Sequence, residues 1–239
     1  MSIYTGRASI FSGLPNSLDE ANPSIALGTL MEGSDGTTFR YVRAGASALV
    51  AGNVVQEIAQ DTGEQDVTPA ATAVGATTIT TSTTLTVTAN QYAGGYVIGT
   101  VTPGIGLKYR IKSHPAATAE ALTLTLEDPI QVALTSSSRL DLVPNPFGAV
   151  IAAPTTPSAS IAGVAVNDIS ANQYGWVQVR GTCAVTNDAA GAITVGTAVM
   201  PSTSVAGAIR AFTGATYYLG IARTGIAASE SGAIDIKIV

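Results

Sequence analysis

The side chains able to do chemistry are few and far apart. The chain has one histidine, His114, and one cysteine, Cys183. A Ser-His-Asp triad or a histidine-based metal site would have to be assembled around that single imidazole. His114 precedes Pro115, and proline pushes the residue before it toward extended or turn conformations, so His114 reads as the end of a strand and not as a base. Cys183 falls in the alternating series Val179, Gly181, Cys183, Val185, the pattern of a small buried hydrophobe. A reactive thiol would need a neighbouring base or a helix N-terminus, and the sequence offers neither. Glu57, Asp61, Glu64 and Asp66 could present oxygens to Ca²⁺, but their order departs from the EF-hand loop and they read as a solvated acidic loop. Gly104-Ile105-Gly106 lacks the third glycine and the following helix of a dinucleotide fingerprint and is turn chemistry. No nucleophile elbow, phosphate loop or zinc spacing occurs, and a glycosidase would need carboxylates converging from distant strands. The sequence therefore assigns no catalytic, cofactor-binding or metal-ligating residue and no cofactor.

The elements that would carry such residues are equally uniform. The 239 residues include 39 Ala and 31 Thr, while charged residues are 11% of the chain, where about 25% is usual. The surface must be covered largely by Thr, Ser, Gly and Ala. A net charge of -5 argues against nucleic acid, whose affinity rests on clustered Lys and Arg. Only Lys108, Arg110 and Lys112 sit close together, on one face of a strand. No run of 18 apolar residues suggests a membrane span, and the first twenty residues do not resemble a secretory signal.

Alternation of apolar and polar residues recurs throughout, which predicts an all-β fold, a β-sandwich or jelly-roll-like barrel. The clearest strands are Leu107 to Lys112, Ala121 to Glu127 and the C-terminal Ile234, Ile236, Ile238 series. Others are expected at Thr38 to Ala44, Asn53 to Ala59, Ala76 to Thr88, Tyr96 to Thr102, Ser160 to Val166, Trp176 to Val185, Ala192 to Val199 and Thr216 to Ala222. Asp35-Gly36 suits a type I′ turn, and residues 187–191 suit a hairpin loop. Only Ala116 to Ala121 has a helical composition. Ala89-Asn90-Gln91-Tyr92 recurs as Ala171-Asn172-Gln173-Tyr174, read as two loops of one shape, each leading into a strand. The charge-free, proline-containing run Leu142 to Asn167 reads as a linker. These shifts divide the chain into 1–66, 67–157 and 158–239, with the outer pieces expected to pair around an inserted middle. Residues 1–37 are expected to form an extended N-terminal arm.

The stretches Gly175-Trp176-Val177-Gln178-Val179-Arg180-Gly181, Val195-Gly196-Thr197-Ala198-Val199-Met200-Pro201-Ser202, Tyr218-Leu219-Gly220-Ile221-Ala222 and Ile234-Asp235-Ile236-Lys237-Ile238 resemble tailed-bacteriophage capsid decoration, or cement, proteins. Ala48 to Val55 is similar in style to their N-terminal hairpins. The resemblance implies a non-enzymatic virion protein on the outer surface of an icosahedral capsid, bridging major capsid subunits. Charge-poor strands rich in Thr and Ala suit that role, since they cost little to desolvate against many identical neighbours. A homotrimer is expected from the prevalence of closed cyclic symmetry and the three-fold sites of such shells. The alternative is a carbohydrate- or receptor-binding module in which Tyr92, Tyr96, Tyr174, Trp176, Tyr217 and Tyr218 stack on sugar rings.

Overall fold

A computed structural model describes residues 7–9, 19–23, 25–82, 84–119, 121–214 and 217–238. Its strands are β1 (Arg7–Ser9), β2 (Leu30–Glu32), β3 (Thr38–Arg43), β4 (Val54–Gln56), β5 (Thr78–Ser82) and β6 (Thr86–Val87). They continue with β7 (Tyr96–Val101), β8 (Lys108–Ser113), β9 (Ala117–Thr118), β10 (Ala121–Leu126), β11 (Arg139–Val143) and β12 (Ile151–Ala152). The series closes with β13 (Ile161–Ala165), β14 (Tyr174–Thr186), β15 (Ala198–Pro201), β16 (Ile209–Ala211), β17 (Gly220–Ala222) and β18 (Ser231–Lys237). The protein is all-β, and the one helical turn among the described residues is the 3-10 turn Thr62–Glu64. No helix among them is long and apolar enough to cross a membrane.

The chain divides into two compact units, residues 1–58 with 146–239, and residues 59–145. In the first, eleven strands form one curled sheet whose main path runs β1-β2-β3-β14-β18-β17-β15-β16. Its spine is β14, thirteen residues long, which pairs with β3 along its first half and with β18 along its second. The strand changes direction where its register against β3 shifts between Gln178 and Arg180. Two residues make that bend possible. The buried Gln178 amide donates to the carbonyls of Arg180 and Thr182 at 3.0 Å each, satisfying groups that the shifted ladder leaves aside. Gly181 has φ +92°, and a Cβ there would lie 2.9 Å from the Thr37 methyl. Inside the curl, Cys183, Val185, Val199, Ala222, Ile234 and Ile236 pack in one cluster, and Tyr41, Trp176, Met31 and Phe39 form another.

The second unit is built from the sheet β11-β7-β8-β10-β5. Residues 67–72 bond to both of its edges: Val67 exchanges backbone hydrogen bonds with Leu140 next to β7, Ser82 donates to Thr68, and Ala70 donates to Thr80. The segment thereby closes the sheet into a small barrel around Ile79, Tyr92, Val97, Ile111, Leu122, Leu124 and Leu142.

Several expectations are corrected. Ala116 to Ala121 is not helical: β9 pairs with β6, Ala119 has φ +46°, and six residues after a proline are too few to nucleate a helix. Ala192 to Val199 is strand only from Ala198, because Gly196 at φ +82° turns the chain between Thr194 and Thr197. Only Gly36 of the Asp35-Gly36 pair has positive φ, so the turn is not type I′; Asp35 instead accepts from the Thr37 amide and hydroxyl. The run Leu142 to Asn167 is no linker, since it carries the end of β11, β12, β13 and the buried Val150 and Ala153. The expected N-terminal arm is not among these corrections, for residues 1–6, 10–18 and 24 of it lie outside the described residues. The described part is tied to its own unit: Glu20 exchanges backbone bonds with Tyr174, and Asp19 accepts from the Ser170 amide and hydroxyl.

Candidate interaction surface

The groups singled out for chemistry are placed as structural parts. His114 follows β8 and is buried, its Nε2 accepting from the Tyr92 amide at 2.9 Å while its Nδ1 lies 2.8 Å from the Pro115 carbonyl. Both ring nitrogens are thus committed to backbone, with the proton on Nδ1. Cys183 is buried in the curl, and burial, with a contribution from the Asp235 carboxylate, pushes its thiol up to about 12. Such a thiol is inert at neutral pH.

The acidic group is dispersed. Glu57 accepts from the Ser160 amide, and Asp66 accepts from the Thr100 hydroxyl. Asp61 and Glu64 form a capping box on the 3-10 turn. Glu64 is no solvated carboxylate: it is buried in the barrel, accepts from the Asp61 amide at 2.7 Å, and its carboxyl is held above the ordinary range chiefly by that burial. Beside it lies the buried Tyr92 hydroxyl, and burial, followed by its interaction with the Glu64 carboxylate, raises its ionisation strongly. Among the described residues no three His, Cys, Asp or Glu side chains are placed to hold a metal ion.

The aromatic residues named for sugar stacking divide. Tyr92 and Trp176 are core residues, and Tyr174 is half-buried with its ring stacked on Tyr41. Tyr96 lies under the Lys108 ammonium, 4.6 Å from its ring centroid. Tyr217 and Tyr218 are exposed, and Tyr218 meets the exposed Phe212 edge to face at 6.2 Å. The two Ala-Asn-Gln-Tyr segments do adopt one turn: Asn90 and Asn172 have φ +61° and +63°, and Gln91 and Gln173 donate to the carbonyls of Thr88 and Ser170.

Phe212 and Tyr218 belong to a continuous outward face of the first unit. Because Cys183, Val185, Ile234 and Ile236 point into the curl, their strand neighbours point out. The pairing register sets these in rows. Thr182 lies opposite Asp235, Asp235 opposite Ile221, and Ile221 opposite Ala198, whose carbonyl accepts from the Phe212 amide. On one side of that row Arg180 is opposite Lys237; on the other, Ala184 is opposite Ala233, whose carbonyl accepts from the Arg223 amide. Ile221 is 44% exposed, Tyr218 52% and Phe212 38%. The face is therefore small-residued at its centre, apolar toward β16 and cationic along β14 and β18. Alternation along Arg180, Thr182 and Ala184 was the available sequence signal for it; the opposition of Arg180 to Lys237 had none.

At its end the same unit holds a buried ionic network that sequence reasoning took for a loop. Asp188 accepts from the Ser202 hydroxyl at 2.6 Å and the Ala190 amide at 2.8 Å, with Arg210 Nε at 3.9 Å. Ser202 Oγ accepts in turn from the Ser204 and Val205 amides. The arrangement binds the connections around β15 and β16 together and contains no nucleophile–base pair.

No curated protein and no solved structure matches the chain. A family model does, over residues 135–238, the segment that supplies β14 to β18 and the outward-face residues named above. Over that segment the chain is similar to the phage cement proteins, the family that the residues of its C-terminal strands already resembled.

Proposed function

We propose that this is a virion structural protein that decorates the outer surface of an icosahedral phage capsid and stabilises it by bridging neighbouring major capsid subunits as a homotrimer. The observation that carries the reading is the match of residues 135–238 to the phage cement family, which falls on the strands that present a broad outward face. The role requires no turnover. It needs a rigid scaffold, a surface that is cheap to desolvate and several linked copies, so that modest contacts per copy add to lasting attachment. A curled sheet stiffened by buried clusters, with Thr182, Ala184, Ala198 and Ala233 at the centre of its outward face, meets the first two needs.

The test is to mix the purified chain with shells assembled without it, image them, and measure the free chain by sedimentation. The reading predicts external density across subunit junctions and a trimer in solution. Shells that stay bare, or density confined to the interior, would refute the capsid role; a monomer at working concentration would refute the trimer.

A further inference from the structure

The outward face contains an arrangement that folding alone does not favour. Arg180 and Lys237 are directly opposite on antiparallel β14 and β18, and like charges in that relation, with Cβ atoms about 5 Å apart, destabilise a sheet. Both are exposed, as is Arg223, whose guanidinium donates to the Thr182 hydroxyl at 3.1 Å. The acidic residues on these rows are Asp235, two residues from Lys237, and Glu32, which lies in register with Arg180 through Thr38 two strands away. Three cations against these two carboxylates make the face cationic at its β14–β18 side, in a chain whose net charge is -5. Next to the cations lie Ile221, Tyr218 and Phe212, all exposed.

We infer that this face, Arg180, Lys237 and Arg223 beside Ile221, Phe212 and Tyr218, is the docking surface of the chain, and that its occupant is an acidic, apolar-centred surface of the assembled capsid. The inference rests on the capsid reading above and names the part of the molecule that would perform it. Charge complementarity selects the occupant. A carboxylate-bearing partner relieves the Arg180–Lys237 opposition, whereas a two-fold contact of the face with its own copy would double it. The apolar patch supplies the area that is removed from water, and the cations supply orientation and on-rate.

The experiment measures co-sedimentation of the full chain with shells that lack it, at about 0.1 M and about 1 M salt, where the screening length falls from about 10 Å to about 3 Å. The variants are Arg180→Glu, Lys237→Glu and Ile221→Gln. Each charge reversal is expected to weaken binding about tenfold at low salt, with the difference from the parent shrinking at high salt. Ile221→Gln is expected to weaken binding at both. Arg180→Glu carries its own control for folding, since it replaces a repulsive cross-strand pair by an attractive one and its melting temperature should not fall. All three variants binding as the parent does would overturn the face while leaving the capsid role standing. Variants that alter the free chain's sedimentation but not shell binding would also overturn it, placing copies of the chain there instead. A parent chain that binds no shell overturns the capsid role and this inference together.

Discussion

On β8 of the barrel, Lys108, Arg110 and Lys112 are successive outward residues of one strand, about 7 Å apart. On β14 and β18 of the other unit, Arg180 and Lys237 face each other across the ladder. The barrel settles two of these three cations internally: Lys108 sits over Tyr96, and Arg110 approaches Glu127 to 3.4 Å. The curled sheet sets two of its cations against each other on an exposed face, while it gives its buried carboxylate, Asp188, a full set of partners. The same few charged residues are thus used in two ways. In the barrel they complete a surface, and on the curled sheet they leave one incomplete, which is what a docking face requires.

The largest loss is expected at Asp188. Removing that carboxylate by Asp188→Ala strands the Ser202 hydroxyl and Arg210, and should cost about 3 kcal/mol in chemical unfolding. A loss under about 1 kcal/mol would mean that the network is not what holds this end of the unit. Next is the bend that aims the face. Gly181→Ala forces a side chain onto positive φ and against Thr37, and should cost about 2 kcal/mol. It should weaken shell binding as well, since Arg180 and Thr182 flank it.

The buried acid of the barrel gives a smaller effect with a definite sign. Burial raises the Glu64 carboxyl above its unfolded value, so the folded state holds the proton more tightly. That favours folding when the group is protonated, and the advantage is lost as pH rises through the folded value. Glu64→Gln, which keeps an acceptor for the Asp61 amide, should therefore melt higher than the parent at pH 7, with the gap closing as pH falls below about 4. An equal gap at both pH values would assign the effect to packing. Smallest of all is Arg110→Ala, where loss of the exposed pair with Glu127 should change stability by no more than about 0.5 kcal/mol in thermal unfolding.

What was legible in the sequence follows from the range of the interactions involved. Period-two alternation is local, so β8, β10 and β18 could be read within a residue or a few of their ends, and Cys183 could be placed inside. Turn shape is local too, and two copies of Ala-Asn-Gln-Tyr gave two copies of one turn. Closure of the barrel by residues 67–72 was hidden because Val67 finds its partner far along the chain, at Leu140. The same holds for the face. Alternation puts Arg180 outward, but only the register of a pairing across 57 residues sets it against Lys237. Asp188 was placed in a hairpin loop and Glu64 was read as solvated; the burial of both is conferred by what folds over the loop, and composition carries no trace of that.

The most direct test of the account is the disruption of capsid shells by heat or denaturant, measured with and without saturating amounts of the chain. The account predicts that shells carrying the chain come apart at a higher temperature or denaturant concentration, in proportion to the copies bound. Full occupancy with an unchanged disruption midpoint would contradict it, for the chain would then be a passenger on the shell and not its cement.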